Sequence, residues 1–160
     1  MQNNDILRRL RYTFHLTDTH MMELFALGGC VANRETISNW LKKEDDSDFV
    51  SIYDIDLAAF LNGLIIQKRG KKEGENPKPE KSLNNNIILR KLKIALQLKD
   101  DDILHILNLA DFKFSRHELS ALFRKQDQDQ YRLCKDQVLR NFLMGLQLSY
   151  RKNNLDTNSL

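Results

Sequence analysis

Proline occurs only twice in this chain, at Pro77 and Pro79, and glycine only six times. That scarcity leaves long uninterrupted stretches and points to helices rather than strands. Cysteine is equally sparse. Cys30 and Cys134 stand at unrelated places in the pattern described below, which argues against a disulfide framework; two reduced, largely buried thiols are expected. No apolar run approaches the ~18 residues of a membrane span, and Met1-Gln2-Asn3-Asn4-Asp5 lacks a basic-then-apolar leader. The expectation is a cytoplasmic protein with no membrane partner.

Chemistry-bearing motifs are missing too. The chain has no glycine-rich phosphate loop, no cysteine pairs at zinc spacing, no nucleophile elbow and no dinucleotide fingerprint. Its histidines, His15, His20, His105 and His117, read as surface residues, because none has a ligand-spaced companion. The acidic run Glu44-Asp45-Asp46-Ser47-Asp48 suggests calcium, but Val50 stands where the loop glycine belongs and Asp56 where the closing glutamate belongs. A solvated loop is expected there. Enzymatic activity is not indicated, and no cofactor or metal is expected.

What the chain does contain is a duplication. Asn3-Asn4-Asp5-Ile6-Leu7-Arg8 returns as Asn85-Asn86-Ile87-Ile88-Leu89-Arg90, and Phe60-Leu61-Asn62-Gly63-Leu64 as Phe142-Leu143-Met144-Gly145-Leu146. The register holds without a gap to Arg69 and Arg151, with roughly three positions in ten identical over about 67 residues. The expected organisation is a helical repeat over 1–69, a linker over 70–83, a second repeat over 84–151 and a frayed tail over 152–160. A unit of this size is marginal alone, so the two should share one core about a pseudo-twofold axis.

Each copy divides into four amphipathic helices, giving an all-α fold of two tandem four-helix repeats. The first helix runs from about Asn4 to Leu16, or Asn86 to Leu98, with asparagines ahead of it as N-caps. The second begins at Asp18 or Asp100, whose carboxylate is read as its cap. The third starts at Asn33 or Ser115, where Ser115-Arg116-His117-Glu118 matches a capping box, and buries Ile37, Trp40 and Leu41 or Leu119, Leu122 and Phe123. The fourth opens at Asp54 or Asp136. Gly63 and Gly145 lie at one place in both fourth helices, where glycine costs about 1 kcal/mol against alanine. Close approach of another helix is the expected reason.

Net charge is +3, with the positive excess in residues 83–160. Basic residues recur at matching positions: Arg8 with Arg90, Arg9 with Lys91, Arg11 with Lys93, Lys42 and Lys43 with Arg124 and Lys125, Arg69 with Arg151. These are the candidate interaction surface for a protein partner. Nucleic acid is the alternative, because the second and third helices resemble a helix-turn-helix, although the turn from Gly29 to Ile37 is too long for the compact form. An enzyme site at the repeat interface is a third reading.

The opening Asn3 to Arg8, the segment Trp40-Leu41-Lys42-Lys43-Glu44-Asp45, Phe60 to Ile65 with Lys68-Arg69-Gly70-Lys71, and Asn84 to Leu92 resemble the YehS-like proteins. That resemblance spans the chain to about Arg151. It implies a small bacterial cytosolic protein built from a duplicated domain, and it brings no catalytic residues.

Overall fold

The computed structural model describes residues 1–71, Gly74 and 76–158, with side chains through Arg151; Lys72, Glu73 and Glu75 of the linker and the last two residues of the tail lie outside the described residues. Eight helices are described: α1 (Asn3–Thr13), α2 (Asp18–Leu27), α3 (Arg34–Leu41), α4 (Asp54–Arg69), α5 (Asn85–Leu96), α6 (Asp100–Leu109), α7 (Arg116–Leu122) and α8 (Asp136–Asn158). No strand occurs among the described residues. None of these helices is long and apolar enough to cross a membrane.

Helix α4 is buried at every position from Leu57 to Leu64, because it is wedged between α2 of its own repeat and α5 of the other. Its sequence is accordingly apolar nearly all round, as expected of a central helix. Helix α8 repeats the arrangement against α6 and α1. Buried side chains of both repeats join a single hydrophobic cluster.

The pseudo-twofold relation shows in individual hydrogen bonds. The Leu83 backbone nitrogen donates to Asp54 Oδ2 at 2.8 Å, and the Met1 nitrogen to Asp136 Oδ2 at 2.7 Å. Each residue lies two positions ahead of the first helix of one repeat and binds the fourth helix of the other, so the two contacts exchange under the symmetry. Within its own repeat each aspartate also accepts from an asparagine, Asp54 from Asn3 at 2.6 Å and Asp136 from Asn85 at 2.7 Å. These paired carboxylates therefore tie α1 to α4, α5 to α8, and one repeat to the other.

The Met1 amine, then the Asn85 amide, hold the Asp136 carboxyl below its usual value. A depressed folded-state pKa contributes stability above the unfolded value, near 4, and that contribution is lost as pH falls through the folded one. Asp136→Asn is therefore expected to lower the melting temperature at pH 7, with the gap to wild type closing below about pH 4. Thermal melts from pH 3 to 7 read this; a gap that stays constant across the range would count against it.

Several helix ends differ from the sequence expectation. Helices α1 and α5 stop at Thr13 and Leu96, not at Leu16 and Leu98, because His15 (φ 52°) and Gln97 (φ 54°) turn the chain left-handed, and Leu16 N and Leu98 N close back on Arg11 O and Lys93 O. Asn84 does cap α5, accepting from Ile87 N, but Asn3 and Asn85 are the first residues of α1 and α5, Gln2 ahead of α1 makes no side-chain cap, and Asn4 and Asn86 are buried within the first turns. Asp18 and Asp100 are not caps either. Thr17 caps α2, Lys99 precedes α6, and the two aspartates pair instead with Arg11 at 3.2 Å and Lys93 at 3.0 Å, seven residues back in each case. Asn33 and Ser115 cap α3 and α7, and Ser115 with Glu118 completes the capping box.

The stretch read as a frayed tail is helical through Asn158. Gly70 (φ 81°) ends α4, whereas its counterpart in the copy is Lys152, which gives α8 no stop. The linker is also less idle than its composition suggests: Pro79 and Glu80 are half-buried, and Glu80 pairs with Lys91 at 2.9 Å.

Two clefts at the repeat seam as the candidate functional site

Packing α4 on α5 and α8 on α1 leaves a cleft along each crossing, built from equivalent positions of the two repeats. The candidate basic residues divide between them. Arg8 lines the α1/α8 cleft, where the Arg151 guanidinium lies 4.2 Å from the centre of the Tyr12 ring. Arg90 and Arg69 line the α4/α5 cleft, where Arg69 reaches Ile94 O at 3.4 Å; Ile94 is the counterpart of Tyr12.

Arg8 and Arg90 also have a structural task. Arg8 Nη1 donates to Lys42 O at 2.6 Å and Arg90 Nη2 to Phe123 O at 3.3 Å, each covering open carbonyls at the C-terminal end of α3 or α7. Lys42 is engaged by Asn39 Oδ1 at 2.8 Å and by Asp48 at 3.7 Å, and Arg124 is half-buried. Lys43 and Lys125 are exposed. Both members are exposed in the pairs Lys43 and Lys125, and Arg69 and Arg151, and Arg90 is exposed where its counterpart Arg8 is half-buried.

The two clefts have diverged. The α1/α8 cleft, about 440 Å³, is lined by Met1, Asp5, Arg8, Arg9, Tyr12 and Arg140, with Gln147 beside them. Among the described residues Arg9 and Arg140 form no ion pair. On the same outer side of α8, Met144 and Leu148 are 37% and 41% exposed, one and two turns beyond Arg140, and Tyr12 is 47% exposed. The α4/α5 cleft, about 580 Å³, replaces Asp5, Tyr12 and Gln147 by Ile87, Ile94 and Ile65. At its base, Lys91 Nζ donates to Asn62 Oδ1 at 2.6 Å.

Arg9 is one of the matched basic residues, whereas the sequence alone does not single out Tyr12, Arg140 or Asn62. One signal was available: Tyr12 and Ile94 are large apolar residues at the same off-stripe position of both first helices.

The segment resembling a helix-turn-helix is packed into the bundle. Ile37 and Trp40 are 2% and 7% exposed, with the Trp40 ring centre 5.2 Å from that of Phe25. Six residues, Gly28 to Asn33, separate α2 from α3, and the exposed loop Glu44 to Asp48 follows α3 directly. Negative charge there opposes phosphate.

The cysteines offer little nucleophilicity. Burial, reinforced by Asp56, pushes the Cys30 thiol up to about 11, and burial with Asp136 pushes Cys134 up to about 12. Both are protonated at neutral pH. Among the described residues no group of three or more His, Cys, Asp or Glu side chains is placed to hold a metal ion.

Comparison with known proteins agrees with the duplication. A family described as "Protein of unknown function (DUF1456)" matches residues 3–70 and again 85–152. The chain is 47% identical over 147 residues to "Uncharacterized protein YehS" of Escherichia coli (strain K12), covering 91% of this chain and 94% of that protein. No solved structure matches it. With the same domain matched twice and a relative this similar over nearly its whole length, the chain belongs to the YehS-like family of duplicated DUF1456 domains.

Proposed function

We propose that this protein is a non-enzymatic interaction module whose α1/α8 face binds an acidic, amphipathic segment of a protein partner. One observation carries the reading: Arg9 and Arg140, without an ion pair among the described residues, line the cleft with exposed Tyr12, on which Arg151 lies, and exposed Met144 and Leu148 follow Arg140 along α8. Arginine, tyrosine and methionine are the side chains protein interfaces favour. The apolar component favours a protein over nucleic acid, since a phosphate backbone gains nothing from Met144 and Leu148. Burial of the third helices weighs in the same direction.

Capture of partners from a bacterial lysate by wild type and by Arg9→Glu/Arg140→Glu, with and without nuclease, begins the test. A captured protein that survives nuclease is then purified. Its binding should weaken at least tenfold with the double variant and recover when acidic residues of its binding segment are changed to lysine. Capture that disappears with nuclease would overturn the reading in favour of nucleic acid, and capture indifferent to the double variant would remove this face from recognition.

A further inference from the structure

We propose that the α4/α5 cleft is a binding pocket for a small amphipathic carboxylate, its apolar body lying among isoleucines and its carboxylate received by Asn62 and Lys91. The cleft has about 580 Å³ of space, the size of a pocket for a small organic ligand. Ile65, Ile66, Ile87, Ile94 and Pro77 form its apolar walls.

The polar groups at its base define the head group. Asn62 is 1% exposed, and its Oδ1 is taken by Lys91 Nζ at 2.6 Å, while its Nδ2 finds no acceptor among the described residues. A buried amide donor without a partner is unusual in a folded protein, and here it belongs to a residue that lines the cleft. The Lys91 ammonium has three protons; among the described residues Asn62 and Glu80, the latter at 2.9 Å, take two, leaving one to donate. Among the described lining residues, Arg69, Arg90 and Lys91 outnumber Glu80, the single acidic one, so an anionic acceptor is favoured over a neutral or cationic one.

These features belong to one half only. Met144 replaces Asn62 in the copy and Asp5 replaces Ile87, while Glu80 and Pro77 come from the segment between the repeats. The pocket is therefore not a by-product of the duplicated framework. A polar Asn62 inside the apolar run from Leu57 to Leu64 is a costly choice for a merely structural position.

Isothermal titration calorimetry on the full chain tests this with three ten-carbon probes below their micelle concentrations: decanoate, decanol and decyltrimethylammonium. Decanoate should bind saturably at one site, with decanol at least tenfold weaker and the cation silent. Lys91→Met and Asn62→Ala should each weaken decanoate at least tenfold. Ile94→Trp, at a 43% exposed rim position, should fill the cleft and abolish binding while leaving the fold intact. No saturable decanoate binding, equal binding of decanol or of the cation, or decanoate binding that survives Ile94→Trp would each overturn the proposal.

Discussion

Asn4→Ala and Asn86→Ala are each expected to lower the unfolding free energy by about 2–5 kcal/mol, an effect set by the backbone groups they abandon. Asn4 Nδ2 donates to Trp40 O at 2.8 Å and Val50 O at 2.9 Å, and Asn4 Oδ1 accepts from Ile52 N at 3.3 Å. Asn86 does the same for Leu122 O at 3.0 Å, Arg132 O at 2.8 Å and Cys134 N at 2.8 Å. One amide from the first helix thus pins the loop between the third and fourth helices at both its ends. The asparagines are 2% and 4% exposed, so water is poorly placed to replace them.

Asn4→Asp separates hydrogen bonding from packing, because it keeps the volume and replaces two donated bonds by an oxygen facing two carbonyls. It should destabilise at least as much as alanine. Urea unfolding followed by circular dichroism measures all three variants. An Asn4→Asp protein as stable as wild type would show that this amide does not hold the loop.

These same asparagines show where sequence pattern runs out. Asparagine before an apolar helical stripe is correct capping chemistry, and Asn84 performs it. Nothing local distinguishes Asn84 from Asn86, which turns inward to a loop 36 to 48 residues away. Likewise Asp18 follows a threonine that is itself a competent cap, and whichever residue takes the extended conformation decides the matter. Spacing predicts the apolar faces well: every residue of the fourth-helix stripe, Leu57, Phe60, Leu61 and Leu64 with Leu139, Phe142, Leu143 and Leu146, is buried. Spacing along one helix cannot show that α4 is enclosed on all sides, since that depends on which helix of the other repeat lies against it. Both clefts exist for the same reason. Asn62 and Lys91 meet across 29 residues of chain, and Arg140 joins Arg9 only once α8 crosses α1.

Replacing Gly63 or Gly145 by alanine is expected to destabilise the protein by about 3 kcal/mol or more, against the gain of about 1 kcal/mol that helix propensity alone would give. A Cβ on Gly63 would stand 1.8 Å from Leu24 O, and one on Gly145 would stand 1.9 Å from Ile106 O. Both obstacles are backbone carbonyls of the second helix of the same repeat, which no rotamer change can move, so the helix pair must separate. A close-packed interior then loses contacts along the whole crossing. Gly28 meets α4 in the same way, with its added Cβ 1.7 Å from Ala59 O, yet its counterpart Ala110 already carries a methyl group. The α2/α4 crossing is therefore tighter at that end than the α6/α8 crossing. Gly28→Ala should be costly like Gly63→Ala, whereas Ala110→Gly should cost no more than about 1 kcal/mol. In melting temperature, a loss of 3 kcal/mol in a chain of this length corresponds to a fall of roughly 6–12 °C. Glycine variants that melt at or above the wild-type temperature would mean that the helix pairs do not approach this closely, and that propensity rather than packing governs these positions.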